Sequence, residues 1–307
     1  MERLAVAVCT YNRGHLLPEL IAALRTQRLP IPFEIIVIDN NSQDDTQVIL
    51  AREAARSGAP LHSVREVQQG ITHARNRAID ACSGYTYMAF IDDDELPMPG
   101  WLAAAHHALS VDGADCVGGA IKVGFRECAR PGWLHDDLLG FLGEVKYGDQ
   151  AFWISDRSTP VWTGNIAYRC SLFAGGLRFD ARYNRAGEGV ASGEDKVMFW
   201  ELVERGARIR YEPGMLIEHR IEPQRLRRGY FLKSHFSRGV LMGRFELEHF
   251  ERTVFRMPPF LIRQFITQSG AALWAVIRGK TSGLRQAMTS AHTLGMLVGC
   301  VSRGDNA

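Results

Sequence analysis

Three acidic residues in a row, Asp92-Asp93-Asp94, directly follow the apolar run Ala89-Phe90-Ile91. Carboxylates this close repel one another, and a cation between them removes the cost. Oxygen donors suit a hard divalent ion, magnesium or manganese. Such an ion stabilises the negative charge that grows on a departing nucleoside diphosphate. A solvated acidic turn or helix cap would carry the same residues without chemistry, but the apolar run before them has the character of a buried strand. Asp39-Asn40-Asn41-Ser42 follows a second β-branched run. Asp39 there can accept a hydrogen bond from a nucleobase N–H, and Asn and Ser equally favour a turn into a helix. Arg75 and Asn76, behind Gly70, can reach a base or phosphate, although a single Arg in a helix is more often a surface charge. Glu194-Asp195 precedes Val197-Met198-Phe199-Trp200. Acids in a first helical turn stabilise the helix dipole, and a carboxylate so placed can also take a proton from an acceptor hydroxyl. His219, after Leu216-Ile217-Glu218, suits a metal ligand or a phosphate contact as well as a structural role.

The elements that must hold these residues alternate over the first hundred positions. Apolar strands are expected at 4–9, 34–38, 61–66 and 86–91, with Asp115–Gly118 closing the series. Helical spacing recurs at Leu16, Leu17, Leu20, Ile21 and Leu24, then over 44–56, 71–81 and 98–109. This alternation predicts an α/β fold with a mostly parallel sheet and helices on both faces. Ligands of such sheets bind beyond the carboxyl ends of the strands. Thr10-Tyr11-Asn12-Arg13, Asp39-Asn40-Asn41-Ser42 and Asp92-Asp93-Asp94 all sit at such ends and should face one crevice. Residues 124–158 mix Gly, Pro and Trp with charges and predict loops and short strands. Order returns at 162–168, a helix is expected over 194–205, and two strands near 208–211 and 215–218.

After residue 222 the character changes. Residues 225–250 predict a long basic helix, broken by Pro258-Pro259, with helical patterns following through 273–277 and 288–298. The chain thus divides into 1–222 and a helical extension over 223–307. Lys plus Arg number 36 against 34 Asp plus Glu, which gives no basis for binding nucleic acid. The six cysteines form no C-x-x-C pair, which argues against a zinc site or disulfide framework and for a reducing compartment. The first apolar run is too short for a signal peptide. No run of about 18 uninterrupted apolar residues marks a transmembrane span. A G-x-x-x-x-G-K-[ST] loop and a G-x-G-x-x-G turn are both absent, against P-loop and dinucleotide-binding enzymes.

Taken in order, these motifs resemble family 2 glycosyltransferases of the GT-A fold. The matching pieces are Val8-Cys9-Thr10-Tyr11-Asn12-Arg13, Val37 to Ser42 with Asp44 and Thr46, Gly70-Ile71 with Ala74-Arg75-Asn76, and Phe90 to Asp94. Thr163-Gly164-Asn165 with Arg169, Gly193-Glu194-Asp195 and Glu218-His219 complete the series. The resemblance covers residues 3–222. It implies an inverting enzyme that moves a sugar from a nucleoside-diphosphate donor, UDP foremost, to a hydroxyl of a sugar, lipid-linked glycan or small molecule. It implies that Asp39 binds the nucleobase, with Thr10, Tyr11, Arg13 and Asn41 in the same pocket and Arg75 and Asp93 on the nucleotide. Asp94 would ligate Mn2+ or Mg2+, with Asp92 on ribose or metal and His219 completing the site. Asp195 would be the catalytic base, Glu194 the lesser candidate, with Trp162 and Asn165 on the acceptor side. The extension resembles the basic helical tails of bacterial exopolysaccharide glycosyltransferases. That implies a cytoplasmic protein with Arg225, Arg227, Arg228, Lys233, Arg238 and Arg244 meeting lipid head groups at the inner membrane. Two other readings of the same acids are a metal-dependent nucleotidyltransferase or phosphohydrolase, and a nucleotide-sugar-binding protein without catalysis.

Overall fold

The computed structural model describes residues 2–126, 128–184, 193–248, 250–278 and 282–302. The chain divides into two compact units; the first carries the sheet and closes at Ile221, while the second comprises Glu222–Ala307 together with the earlier segments Cys128–Asp136 and Glu188–Gly193.

In the first unit, β1 (Leu4–Thr10) is buried at every residue. It pairs in parallel with β2 (Phe33–Asp39) on one side and β4 (Tyr87–Ile91) on the other, and β3 (Leu61–Arg65) extends the parallel half beyond β2. Strands covered on both faces are apolar throughout rather than alternating. The helices between them are α1 (Leu17–Arg25), α2 (Thr46–Ala54) and α3 (Ile71–Ala81). In α1 the buried positions are Leu17, Leu20, Ile21 and Leu24, one face at helical spacing.

The other half of the sheet is mixed. It contains β5 (Glu95–Pro97), β6 (Cys116–Gly124), β7 (Phe152–Ile154), β8 (Asn165–Arg169) and β9 (Ile209–Arg220), with α4 (Trp101–Ser110) and α5 (Glu194–Glu204) packed around them. The strand order is β3-β2-β1-β4-β8-β6-β9-β5, with β7 also on β9. β8 runs antiparallel between β4 and β6, and β9 is parallel to β6. The two strands expected near 208–211 and 215–218 are one. Glu212 pairs with Gly119 and Ile217 with Ile121, so residues 213–216 bulge against a single partner position. Pro213 has no N–H for the ladder, and a bulge accommodates it without ending the strand.

The second unit contains α6 (Arg228–Leu241), which runs on into a π-helical turn at Met242–Glu246, then α7 (Pro259–Ile277) and α8 (Gly283–Val301). The long helix expected over 225–250 is therefore shorter. Gly239 of α6 and Gly243 of the π-helical turn meet Gly295 and Gly299 of α8 backbone to backbone. A Cβ on Gly239 would lie 2.0 Å from the His292 carbonyl oxygen, and one on Gly295 2.1 Å from that of Phe236. Although no unbroken apolar run marks a membrane span, α7 is long and apolar enough to cross one by length and composition, and only 17% of it is buried.

Candidate active site

The parallel order β2-β1-β4 brings three strand ends to one edge. Thr10 lies opposite Asp39, and the Asn40 N–H donates to the Thr10 carbonyl at 2.9 Å. The loops after β1 and β2 are laced together. The Asn12 N–H donates to Ser42 Oγ at 2.9 Å, and the Gln43 N–H to Asn12 Oδ1 at 2.7 Å. Asn12 and Asn41 turn these loops at φ of 52° and 64°, a region Asn tolerates. Asn41 accepts from Arg65, and Tyr11 is half-buried in the first loop.

The acidic turn follows β4. Thr10 Oγ1 donates to Asp93 Oδ2 at 2.8 Å, and Arg13 Nη1 lies 3.0 Å from both Asp93 Oδ1 and Asp94 Oδ2. Thr10 thus stands opposite Asp39 while its side chain and that of Arg13 bond the acidic turn, because β1 sits between β2 and β4. Burial, with the neighbouring Asp94 adding to it, pushes Asp93 up to about 6 against the pull of Arg13. Asp92 is raised by burial and by Asp94, with Arg75 opposing. Glu95 is held well above the usual carboxylate range by burial and then by Asp92 and Asp94. Glu95 belongs to β5, whose register on β9 sets it opposite His219. Arg220, the next residue, pins the turn: its N–H donates to the Asp94 carbonyl at 2.8 Å and its Nη2 to that of Asp93 at 3.2 Å.

Arg75 is not a surface charge. The buried residues of α3 are Thr72, Ala74, Arg75, Ala78 and Ile79, so the guanidinium sits on the helix's inner face. Its side chain is 4% exposed and lies 2.6 Å from Glu194 Oε1, 3.5 Å from Asp92 Oδ1, and in direct contact with Asp195. Burial opposes its charge, yet Asp195, Glu194 and Asp92 together raise its pKa. The helix begins at Gly70, where φ is +136°; the Gly70 N–H donates to Asn40 Oδ1 at 2.7 Å. Only glycine adopts that conformation at ease, and a Cβ there would collide with Asn184 at 2.1 Å.

Asp39 is fully buried. Its Oδ1 accepts the Ser42 N–H at 3.0 Å, and its Oδ2 accepts from the Gln47 amide. Asn165 does not face an acceptor. Its oxygen accepts from Trp101 Nε1 at 2.7 Å, and its amide donates to the carbonyls of Ala120 and Met215, each at 2.8 Å. All its hydrogen-bonding groups are spent tying β8 to β6, β9 and α4. Trp162 is half-buried and packs against the core. The segment 185–192, just before Asp195, lies outside the described residues.

Among the described residues no three His, Cys, Asp or Glu side chains converge to hold a metal. The expected set of Asp92, Asp94 and His219 is not assembled, because Asp92 turns to Arg75. Asp94 Oδ1 and His219 Nε2 stay together at 3.7 Å. These donors still fit a hard divalent ion. His219 Nδ1 lies 2.9 Å from the Leu142 carbonyl, which can only accept, so Nδ1 carries the proton and Nε2 faces Asp94. Hydrogen bonds of this kind orient metal-binding histidines. A Cβ at Gly164 would come within 2.6 Å of Glu95 and 3.1 Å of Asp92, so glycine keeps the space beside the carboxylates clear. Magnesium-like ions commonly take one or two carboxylates and fill the other positions from substrate phosphates.

Residues 5–178 match the family model described as Glycosyl transferase family 2. The chain belongs to that family. This glycosyltransferase is 27% identical over 254 residues to the succinoglycan biosynthesis protein ExoM of Rhizobium meliloti, covering 78% of its own length and 74% of ExoM. It is 33% identical over 120 residues to glycosyltransferase AglE of Haloferax volcanii, a match spanning 38% of this chain and 39% of AglE. Its fold is similar to mannosyltransferase PcManGT of Pyrobaculum calidifontis, solved with GDP-Man and Mn2+ (TM-score 0.58, 16% identity, 95% and 86% of the two chains). It is also similar to residues 1–349 of S. aureus TarS in complex with UDP (TM-score 0.55, 17% identity, 96% and 90%). At these identities the two structures establish a GT-A-like fold.

Proposed function

We propose that this family 2 glycosyltransferase moves a sugar, with inversion, from a uridine-diphosphate donor to an acceptor hydroxyl in polysaccharide or glycoconjugate synthesis. The observation that carries the reading is Arg75. One guanidinium gathers Asp92 from the acidic turn and Glu194 and Asp195 from a helix more than a hundred residues later. A donor-binding carboxylate and a proton acceptor must lie this close for a single displacement.

Asp195 fits the base better than Glu194. Its side chain is 22% exposed against 1% for Glu194, so an acceptor can reach it. Asp195 takes the proton of the acceptor hydroxyl as that oxygen bonds to the anomeric carbon. The bond from that carbon to the diphosphate oxygen breaks, and its electron pair leaves with the diphosphate. Attack opposite the leaving group inverts the centre. Arg75 fixes Asp195 and carries positive charge beside Asp92. A divalent ion held by Asp94 and His219 would stabilise the leaving diphosphate.

The environment of Asp39 supports uracil. Ser42 already takes Oδ1, leaving Oδ2, where Gln47 now donates, for one further N–H. Uracil offers a single imide N–H; guanine offers a pair that asks for both oxygens. The UDP bound by TarS is in keeping with this choice. The acceptor we favour is a sugar hydroxyl, free or on a lipid-linked glycan.

The test is Asp195→Asn. Donor binding should be retained while turnover falls about a hundredfold or more, as for loss of a general base. Turnover at the wild-type rate would overturn the assignment, and release of inorganic phosphate from nucleoside triphosphates would replace it with phosphohydrolysis.

A further inference from the structure

Helix α7 turns an apolar stripe to solvent. Along it, Phe260 is 50% exposed, Ile266 64%, Leu273 63%, Trp274 48% and Ile277 74%. They lie six, seven, one and three residues apart in turn, spacings that at about 100° per residue keep all five on one side of the helix. The opposite side is packed except at Val276 near the helix end, which is 61% exposed: Leu261, Ala272 and Ala275 are buried, Ser269 Oγ lies 2.7 Å from Ser290 Oγ, and Thr293 Oγ1 donates to Gln268 at 2.6 Å. The stripe is therefore not spare core of the unit that bears it.

From α7 through α8 the sequence carries charge of one sign. From Arg252 to Arg303 the sequence has seven Arg and Lys and no Asp or Glu. Arg263 and Arg278, both exposed, bracket the most apolar part of α7, and Arg278 lies 4.1 Å over the Trp274 ring. A protein surface that is apolar along a helix and basic at its edges complements anionic lipid head groups above acyl chains.

Although the nineteen residues of α7 pass for a membrane span by length and composition, Arg263 lies inside the helix, and the uncharged stretch decides how it meets the bilayer. Fourteen uncharged residues separate Arg263 from Arg278. At about 1.5 Å per residue they span ~21 Å, short of the ~30 Å hydrocarbon core. A packed helix of this length lies in the interface.

We propose that α7 is a lipid-docking element that seats its Phe260–Ile277 stripe in the head-group region of an anionic bilayer. This places the contact on α7 rather than on the basic helix α6. It does not depend on the glycosyl-transfer reading, because it is tested without donor or acceptor.

The experiment is flotation of the full chain with vesicles of phosphatidylcholine alone or with a third phosphatidylglycerol. Wild type should float with the anionic vesicles and much less with the neutral ones. Leu273→Glu with Ile277→Glu, both at exposed positions, should reduce partitioning by roughly tenfold or more while leaving the thermal melt unchanged. Arg263→Gln with Arg278→Gln should weaken binding to anionic vesicles by roughly tenfold and leave neutral vesicles unaffected. Equal flotation of wild type and the Glu variant would overturn the proposal. So would a concentration-dependent dimer, by light scattering, that the Glu variant abolishes and that shows no affinity for vesicles.

Discussion

Replacing Arg75 with Met removes the cation that, among the described residues, Glu194, Asp195 and Asp92 share, while keeping an unbranched chain of similar length. Its side chain is 4% exposed and that of Glu194 1%, so this pair is sealed from water. Deleting one member of a buried pair takes from the other charge the cation that offset its burial, at a cost of about 3–5 kcal/mol. Asp195 and Asp92 keep more solvent and add less. In a domain of this size that loss lowers the melting temperature by roughly 10 °C. The deficit should shrink as the pH falls, because a buried carboxyl deprived of its cation takes up a proton. Arg75→Lys should recover part of the stability and little of the activity, since an ammonium cannot span three carboxylates as the planar fork does. Paired melts at neutral and acidic pH, with turnover of a UDP-sugar, check both halves. A Met variant that melts within about 2 °C of wild type at every pH would refute the reasoning. Unchanged turnover would remove Arg75 from the site.

Gln47→Ala should free Asp39 Oδ2 and tighten UDP about tenfold by calorimetry, the scale of a hydrogen bond to a carboxylate; weaker binding would make Gln47 a donor contact. Asp93 is raised from 3.8 to about 6 in the fold, so the stability it gives is full below the lower value and is lost as pH rises through the higher. Asp93→Asn should therefore be more stable than wild type by about 3 kcal/mol in metal-free denaturant melts above pH 6, and the gap should close toward pH 4. A gap that persists in acid would contradict this sign. Gly295→Ala puts a Cβ 2.1 Å from the Phe236 carbonyl oxygen and should cost about 1–3 kcal/mol by forcing α6 from α8. Faster amide exchange in those helices would report it, and Gly270→Ala, in open space, is the control.

The parallel half of the sheet is legible from sequence because strands buried on both faces are apolar along their length. Thr10, Asp39 and Asp92 could be placed at one edge for the same reason. The mixed half is harder to read. β5 is three residues ending in proline, and its partner lies more than a hundred positions away, so no local pattern announces it. Pro213-Gly214 has the composition of a turn, yet a bulge carries β9 through it. Asn165 shows how a residue type misleads: an amide that completes Trp101 and two carbonyls looks, in sequence, the same as one that greets an acceptor. Arg75 had a readable signal, because it shares the inner face of its helix with Ala74, Ala78 and Ile79. Glu95, Arg220 and Gln47 carry no motif. Only the fourth acid after Asp92-Asp93-Asp94 offered a hint of Glu95.

Calorimetric titration of the full chain with UDP, GDP, CDP and TDP, each with and without manganese, tests the central claim most directly. The account predicts that UDP binds, that manganese strengthens it, and that Asp94→Ala removes the manganese effect while leaving the fold intact. Binding of no diphosphate with manganese present, or of GDP in preference to UDP without any metal effect, would contradict it.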